Sequence, residues 1–379
     1  MQFENETISP TSTARKIPLR IIMAGGGTGG HIFPAVSIAN ELTRLHPELN
    51  ILFVGAKGKM EMDKVPEAGY EIKGLTIAGY NRSSLIKNVA LPFKILASFF
   101  EVNQIFKKFK PVAVIGVGGY SSFPVLKSAQ LRGIASFIHE SNSLPGKSNI
   151  MLGKKATQIF VAYDGMEKYF PVNKIVKTGN PVRKSLSLKV DKNEALSFFG
   201  LEPGKKTILV TGGSLGSQSI NRVIEKHADQ FKKHGLQLIW QTGKDFAEIA
   251  ASIEEDHSNI WSNAFINNME YAYSAADLVV CRAGAMTLSE LSVVGKPAIL
   301  VPYPYAAEDH QTVNAQSLVA KGAAIMVKDA DVETSLMPAI IKTLTDDDGL
   351  NRMGLNMSSL AICNADEIIA SEILKNIKQ

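Results

Sequence analysis

Short apolar runs alternate with stretches in which apolar residues recur every three or four positions, almost along the whole chain. Leu19–Met23, Ile51–Val54, Ala113–Val117, Ala135–His139 and Gln158–Ala162 read as buried strands. Ala35, Ile38, Ala39, Leu42 and Leu45 mark the first intervening helix, with Pro34 expected in its first turn. The turn-rich stretch Thr178-Gly179-Asn180-Pro181-Val182-Arg183 interrupts the series, and the alternation then restarts. Thr207–Thr211, Leu236–Gln241, Leu278–Cys281 and Ala298–Val301 are the second set of strands, and Ile368, Ile369, Ile373, Leu374 and Ile377 close the chain as an amphipathic helix. Strand–helix alternation of this kind predicts parallel α/β architecture.

Each series opens in the same way, with a strand, a glycine turn and a helix. The first turn is Gly25-Gly26-Gly27-Thr28-Gly29-Gly30-His31 and the second Gly212-Gly213-Ser214-Leu215-Gly216-Ser217. Two such openings predict two Rossmann-like domains facing across a cleft. Glycines let the backbone approach a ligand closely, and a helix N-terminus offers unpaired N–H groups to an anion or a sugar edge. The second loop, with the Ser214 hydroxyl, is the better diphosphate cradle. His31 at the lip of the first is a candidate base for a hydroxyl nucleophile.

Composition narrows the class. With 379 residues the chain is long enough for two cores, and a net charge of +5 is too modest to announce nucleic acid. Two cysteines, Cys281 and Cys363, lack metal spacing and fit a reducing compartment. Residues 1–17 are polar and are expected to be a disordered extension, not a secretory signal. No apolar run approaches the length of a membrane span. Residues 82–110 stand apart: many large apolar residues share the segment with Arg82, Lys87, Lys94, Lys107, Lys108 and Lys110, against a single acid, Glu101. A buried helix pair with a basic solvated face would account for it, and so would contact with an anionic membrane surface, the reading preferred here.

Several motifs admit two readings. Gly25-x-Gly27-x-x-Gly30 fits the dinucleotide fingerprint, but the second strand ends in Gly55-Ala56-Lys57 without the acid that would hold a ribose. Thr287 and Glu290 have the spacing of a capping box, while Glu290 would equally suit two ribose hydroxyls. Glu308 and Asp309, after a strand, are binding candidates or first-turn acids. His139 reads as a satisfied buried histidine, and Asp329-Ala330-Asp331 as a solvated turn remote from either glycine loop rather than a metal site.

Taken together, the first glycine loop, Gly118-Gly119-Tyr120, His139-Glu140-Ser141-Asn142, Gly179-Asn180-Pro181-Val182-Arg183, Gly212–Gly216, Arg282-Ala283-Gly284-Ala285 and His310-Gln311 resemble the MurG family of peptidoglycan glycosyltransferases. The resemblance covers nearly the whole chain from Leu19. It implies a GT-B fold: an acceptor and membrane-associating domain at 18–178, a hinge at 179–186, a donor domain at 187–358, and a C-terminal helix at 359–379 returning to the first domain. The implied reaction is inverting transfer of N-acetylglucosamine from UDP-GlcNAc to the muramyl 4-hydroxyl of lipid I, with no metal or other cofactor required, Arg183 and the helix dipoles serving the leaving diphosphate instead. On the donor, Gly213 and Ser214 would take the diphosphate, Arg183 the nucleotide, Glu290 the ribose, Ile266 the uracil through its backbone, and His310 and Gln311 the sugar hydroxyls. Thr28, His31, Tyr120 and Asn142 would line the acceptor side of the cleft. Of these, Thr28 and Asn142, with Gly29, would also reach the donor, while Gly27 and Gly30 would join Tyr120 on the acceptor and His31 would be the catalytic base. The family implies a peripheral protein on the cytoplasmic face of the inner membrane, in possible contact with other cell-wall synthesis proteins. Another GT-B transferase with a lipid acceptor, a nicotinamide oxidoreductase and a nucleotide-sugar sensor are the competing readings.

Overall fold

A computed structural model describes residues 19–79, 91–187 and 190–377. The first sheet contains β1 (Arg20–Ala24), β2 (Asn50–Ala56), β3 (Glu71–Leu75), β4 (Ala113–Gly116), β5 (Ala135–Glu140), β6 (Gln158–Val161) and β7 (Ile175–Lys177). Their order is β3-β2-β1-β4-β5-β6-β7, and every pairing is parallel. The crossover helices are α1 (Gly29–Leu45), α2 (Glu61–Glu67), α3 (Leu91–Phe109), α4 (Ser122–Leu131) and α5 (Lys147–Gly153). The second sheet orders β8 (Lys206–Thr211), β9 (Leu236–Gln241), β10 (Ile260–Asn263), β11 (Leu278–Cys281), β12 (Ala298–Leu300) and β13 (Ala324–Met326) as β10-β9-β8-β11-β12-β13, again all parallel. Its helices are α6 (Lys192–Phe198), α7 (Gln218–Lys226), α8 (Ala228–Lys233), α9 (Ala247–Asp256), α10 (Met269–Ala275), α11 (Ala285–Val294), α12 (His310–Val319), α13 (Val332–Thr345) and α14 (Asp347–Ser358).

The nine strands read from the apolar runs are all present, and the four that the pattern does not reveal, β3, β7, β10 and β13, are the four sheet edges. Central strands of a parallel sheet are covered on both faces and become continuous apolar runs, whereas an edge strand is half-exposed and need not. β3 alternates exposed and half-buried residues until Leu75, and β7 has no fully buried residue. Pro34 lies in the second turn of α1, because the helix begins at Gly29. Lacking an N–H, Pro34 leaves the Gly30 carbonyl without its intrahelical donor.

Helices cover both faces of each sheet. The last helix, α15 (Ala365–Ile377), buries Ile369, Ala370, Ile373 and Leu374 beside Ile38, Ala39 and Leu42 of α1, so the chain ends against the first sheet. The segment between the sheets is tied to that same corner, where Lys184 Nζ lies 2.8 Å from Glu41 of α1 and 3.7 Å from Asp366 of α15. In both sheets the strand order reverses beside the first strand of the series, and it is beyond such a reversal that open α/β sheets bind ligands. Ala24 pairs with Val54 and Gly116, and Thr211 with Gln241 and Cys281, so each glycine loop emerges level with its neighbours' ends.

Candidate active site

The first glycine loop is folded over a carboxylate. Glu61, at the start of α2 and only 1% exposed, accepts the Gly27 N–H at 2.8 Å and the Ala56 N–H at 2.9 Å. A methyl on Gly26 or on Gly55 would collide with this side chain, so its seat exists because both positions are glycine. The acid missing from the end of β2 is thus supplied from α2. It approaches from below, buried, where no ribose could reach it. Above the loop, His31 Nδ1 lies 3.0 Å from the Gly26 carbonyl and 3.4 Å from the Thr28 hydroxyl. A carbonyl can only accept, so Nδ1 carries the proton and Nε2 keeps its lone pair. The imidazole edge lies against Gly118, where a methyl would meet Cδ2 and Nε2 at 2.8 Å. Burial holds the His31 pKa below its ordinary value and His310 adds to the effect; Glu140, the Gly26 carbonyl and Glu61 oppose it. The ring is therefore neutral at pH 7.

Gly27 and Thr28 are exposed at the mouth of this loop, and Gly29 and Gly30 begin α1, where a helix has unpaired N–H groups. Tyr120 is 53% exposed, its ring laid on Gly79 at the edge of residues 80–90. Those residues, with the 82–90 part of the basic apolar segment, lie outside the described structure. Glu140 organises the next loop: one oxygen takes the Asn142 N–H at 3.0 Å and its side-chain amide at 3.3 Å, the other the Gly146 N–H at 3.1 Å and Asn149 at 2.8 Å. Asn142 also accepts from Asn314 at 3.3 Å, so both ends of its amide are held within the protein. His139 is fully buried, with Nε2 3.4 Å from the Gly179 carbonyl, and desolvation takes its pKa down to about 4. It is neutral but not the satisfied histidine expected, since its Nδ1 is buried without a hydrogen-bond partner.

The second glycine loop is propped by an amide instead. Gln241, at the end of β9, donates to the Gly213 carbonyl and the Thr211 hydroxyl, each at 3.0 Å, and accepts the Ile266 N–H at 2.9 Å. Ile266 therefore has only its carbonyl to offer a base. Gly213 and Ser214 are exposed at the loop tip, and Ser217 caps α7 through the Ile220 N–H. Arg282, following β11, anchors the loop's far side through Asp329 at 2.6 Å and Ser219 at 2.9 Å. Asp329 also accepts from Ser219 at 2.6 Å. It is a half-buried anchor beside the second glycine loop, contrary to the solvated, remote turn expected of it, because the 3-10 turn it opens packs against the start of α7.

Glu290 is no capping residue: α11 starts at Ala285 with Gly284 at the cap, which places Glu290 in the helix interior. It is 8% exposed, accepts from the Tyr273 hydroxyl at 3.0 Å and lies 3.4 Å from Arg183 Nε. Burial raises its pKa, opposed by Arg183 and by the tyrosine bond. Arg183 also lies over the Phe33 ring of α1, 5.4 Å from its centroid, and so bridges the two domains. Glu308 and Asp309 precede α12 rather than opening it, with left-handed φ of 57° and 55°. Such strained residues gather at functional sites. They lead into His310, whose charge helps lower the His31 pKa, and Gln311, whose side-chain oxygen accepts the Tyr303 N–H at 2.9 Å. Asn314, two residues beyond Thr312 on α12, crosses the cleft to accept from Ser143 at 3.0 and 2.7 Å. Among the described residues no group of three or more His, Cys, Asp and Glu is placed to hold a metal.

Two family models match, the glycosyltransferase family 28 N-terminal domain over residues 21–161 and its C-terminal domain over residues 207–366. The chain belongs to glycosyltransferase family 28. A curated relative from Parabacteroides distasonis, named UDP-N-acetylglucosamine–N-acetylmuramyl-(pentapeptide) pyrophosphoryl-undecaprenol N-acetylglucosamine transferase, is 49% identical, covering 94% of this chain and 98% of its own. One of the same name from Bacteroides fragilis is 48% identical, over 95% and 96%. The crystal structure of Acinetobacter baumannii MurG superposes with a TM-score of 0.77 at 30% identity, covering 94% of this chain and 100% of its own. Family 28 membership assigns the two halves of the cleft to one transferase, with the two-domain GT-B fold of such neighbours. Glu61, Gln241 and Tyr273 support this candidate site and are not singled out by motif reading. Of the three, Gln241 carries a signal, as the polar last residue of a strand beside β8.

Proposed function

We infer that the chain is an inverting hexosyltransferase that moves N-acetylglucosamine from UDP-GlcNAc to the muramyl 4-hydroxyl of lipid I, giving lipid II. Near-half identity over almost the full length of relatives bearing that activity in their names supports the substrates. The observation that carries the chemistry is the neutral imidazole of His31, its Nδ1 on the Gly26 carbonyl and its Nε2 lone pair left beside the first loop. The acceptor oxygen attacks the anomeric carbon, its proton passes to Nε2, and the bond from that carbon to UDP breaks on the opposite face. UDP leaves with the electron pair. Its charge is met by Ser214 at the tip of the loop that Gly213 turns and by Arg183, while Glu290 receives the ribose hydroxyls and Gln311 the sugar. Gly27, Gly30 and Tyr120 face the acceptor. No metal enters this scheme.

The acceptor is a lipid, and α3 suits its surroundings. Phe93, Leu96 and Phe100 are 73%, 68% and 64% exposed on one helical face, with Lys107 and Lys108 in its last turn. No described helix is long and apolar enough to cross a membrane. A peripheral site on the cytoplasmic face of an anionic membrane fits this surface.

UDP release from UDP-GlcNAc, measured with lipid I in neutral or anionic vesicles and with or without a chelator, tests the reading. Turnover is expected to require lipid I, to ignore the chelator and to rise on anionic vesicles. Turnover without lipid I, or its loss in chelator, overturns the acceptor assignment or the metal-free scheme respectively. Equal rates on both vesicle types remove the membrane surface from the account.

A further inference from the structure

One peptide group links His31 to the buried acid below it. The N–H that Glu61 Oε2 accepts at 2.8 Å and the carbonyl that faces His31 Nδ1 at 3.0 Å belong to the same Gly26–Gly27 peptide. We propose that Glu61 is a positioning residue for His31, acting through this peptide to hold Nδ1 protonated and Nε2 open to the cleft.

The physical basis is peptide resonance. A carboxylate on the N–H side draws electron density toward the carbonyl oxygen, making that oxygen a stronger acceptor for the imidazole proton. The bond tightens further as His31 becomes an imidazolium, the stage at which its stabilisation matters. The carboxylate is well placed to act over this distance because it is 1% exposed and both its oxygens accept backbone N–H groups. Among the described residues it makes no salt bridge that would spend its charge elsewhere. The same fold logic makes the arrangement local to this loop, since the glycines at 26 and 55 vacate the space the carboxylate fills. Other charged or titratable groups facing His31 are Glu140 from the end of β5, His139 from the same strand and His310 from α12. They remain in place when Glu61 alone is changed.

The inference rests on His31 as the base, so its test separates the two. In Glu61→Gln one amide oxygen still accepts, but the charge is gone and an NH2 group meets the second N–H. The expected result is a fall in kcat of about tenfold, with the KM for UDP-GlcNAc held within about twofold. The acid limb of the pH profile should move to lower pH, since the lost charge favoured the imidazolium. In a His31→Ala background the same substitution should cost nothing more, and Glu61→Asp should recover part of the loss. A full further loss in the His31→Ala background, or an unmoved acid limb, overturns the relay. Near-normal turnover of His31→Ala alone would instead remove His31 as base. Nitrogen-15 NMR of the unaltered enzyme decides without kinetics: the relay requires His31 as the Nδ1–H tautomer near pH 7, and an Nε2–H tautomer refutes it.

Discussion

The two glycine loops occupy equivalent places in their sheets, and they differ most in what lies beneath them. A carboxylate, Glu61, props the first; an amide, Gln241, props the second. Both side chains bind loop backbone from below, so either would serve to shape a turn. Their charge separates the roles. A buried negative charge under the first loop makes it a poor place for a diphosphate and a good one for an imidazole that must become cationic. The neutral amide under the second puts no charge below Ser214 at the exposed tip, while the Gly213 N–H is taken by the Thr211 hydroxyl at 3.2 Å. On the proposed reading, one architecture, repeated, becomes a base on one wall and an anion cradle on the other through a single side chain in each.

Placing a methyl on Gly26 is the sharpest way to break this division. Gly26→Ala drives Cβ into the Glu61 carboxyl group and asks alanine to hold a φ of 151°. The loop must shift, taking with it the carbonyl that orients His31. Turnover is expected to fall about a hundredfold or more, in the range of a lost general base, while UDP affinity measured by calorimetry stays within about twofold. An equal loss in UDP affinity would mean that the two walls are not separable.

The converse change puts a carboxylate under the donor loop. Gln241→Glu keeps the acceptor atom for the Ile266 N–H but replaces the donor to Gly213 and Thr211 with a second oxygen. Repulsion between that charge and the diphosphate is expected to weaken UDP-GlcNAc binding about tenfold, falling with added salt. The pH dependence of turnover at saturating donor should not move. If it moves and affinity does not, the second loop is not the diphosphate site.

Much of this division is legible in the sequence, and the part that is not has a physical reason. His31, Ser214 and Glu290 stand in motifs at strand ends, where period and glycine content announce a loop. The supports do not. Glu61 looks like a first-turn acid of a short helix, and its role depends on two glycines that make room from separate segments. Asp329 looks solvated until the Arg282 side chain is seen to reach it. The edge strands fail for a related reason: β3, with Glu71 and Lys73 exposed and Ile72 and Gly74 only half-buried, carries little hydrophobic run to read. What a linear pattern records is burial along one segment, and each missed feature is a meeting of two.

Alignment of the two walls depends on such a meeting, and its loss should have the smallest effect. Asn314 is fully buried on α12, accepts the Ser143 N–H and hydroxyl, and donates to Asn142 at 3.3 Å and to the Ala283 carbonyl at 3.4 Å. It is a contact from the donor domain to the loop that Glu140 organises beside His31. Asn314→Ala leaves these partners unsatisfied at the interface, at a cost of roughly 2 kcal/mol that thermal unfolding should show. Neither loop is touched directly, so kcat and the KM for UDP-GlcNAc should each change only a few-fold and in step, as the cleft samples more open arrangements. Asn314→Asp separates the bonds to Ser143 from the rest, since it keeps the oxygen that accepts from both Ser143 donors but turns a second oxygen toward the Ala283 carbonyl. If it behaves as the alanine variant does, the amide donor bonds set the alignment; if it behaves as the unaltered enzyme does, the Ser143 contacts suffice.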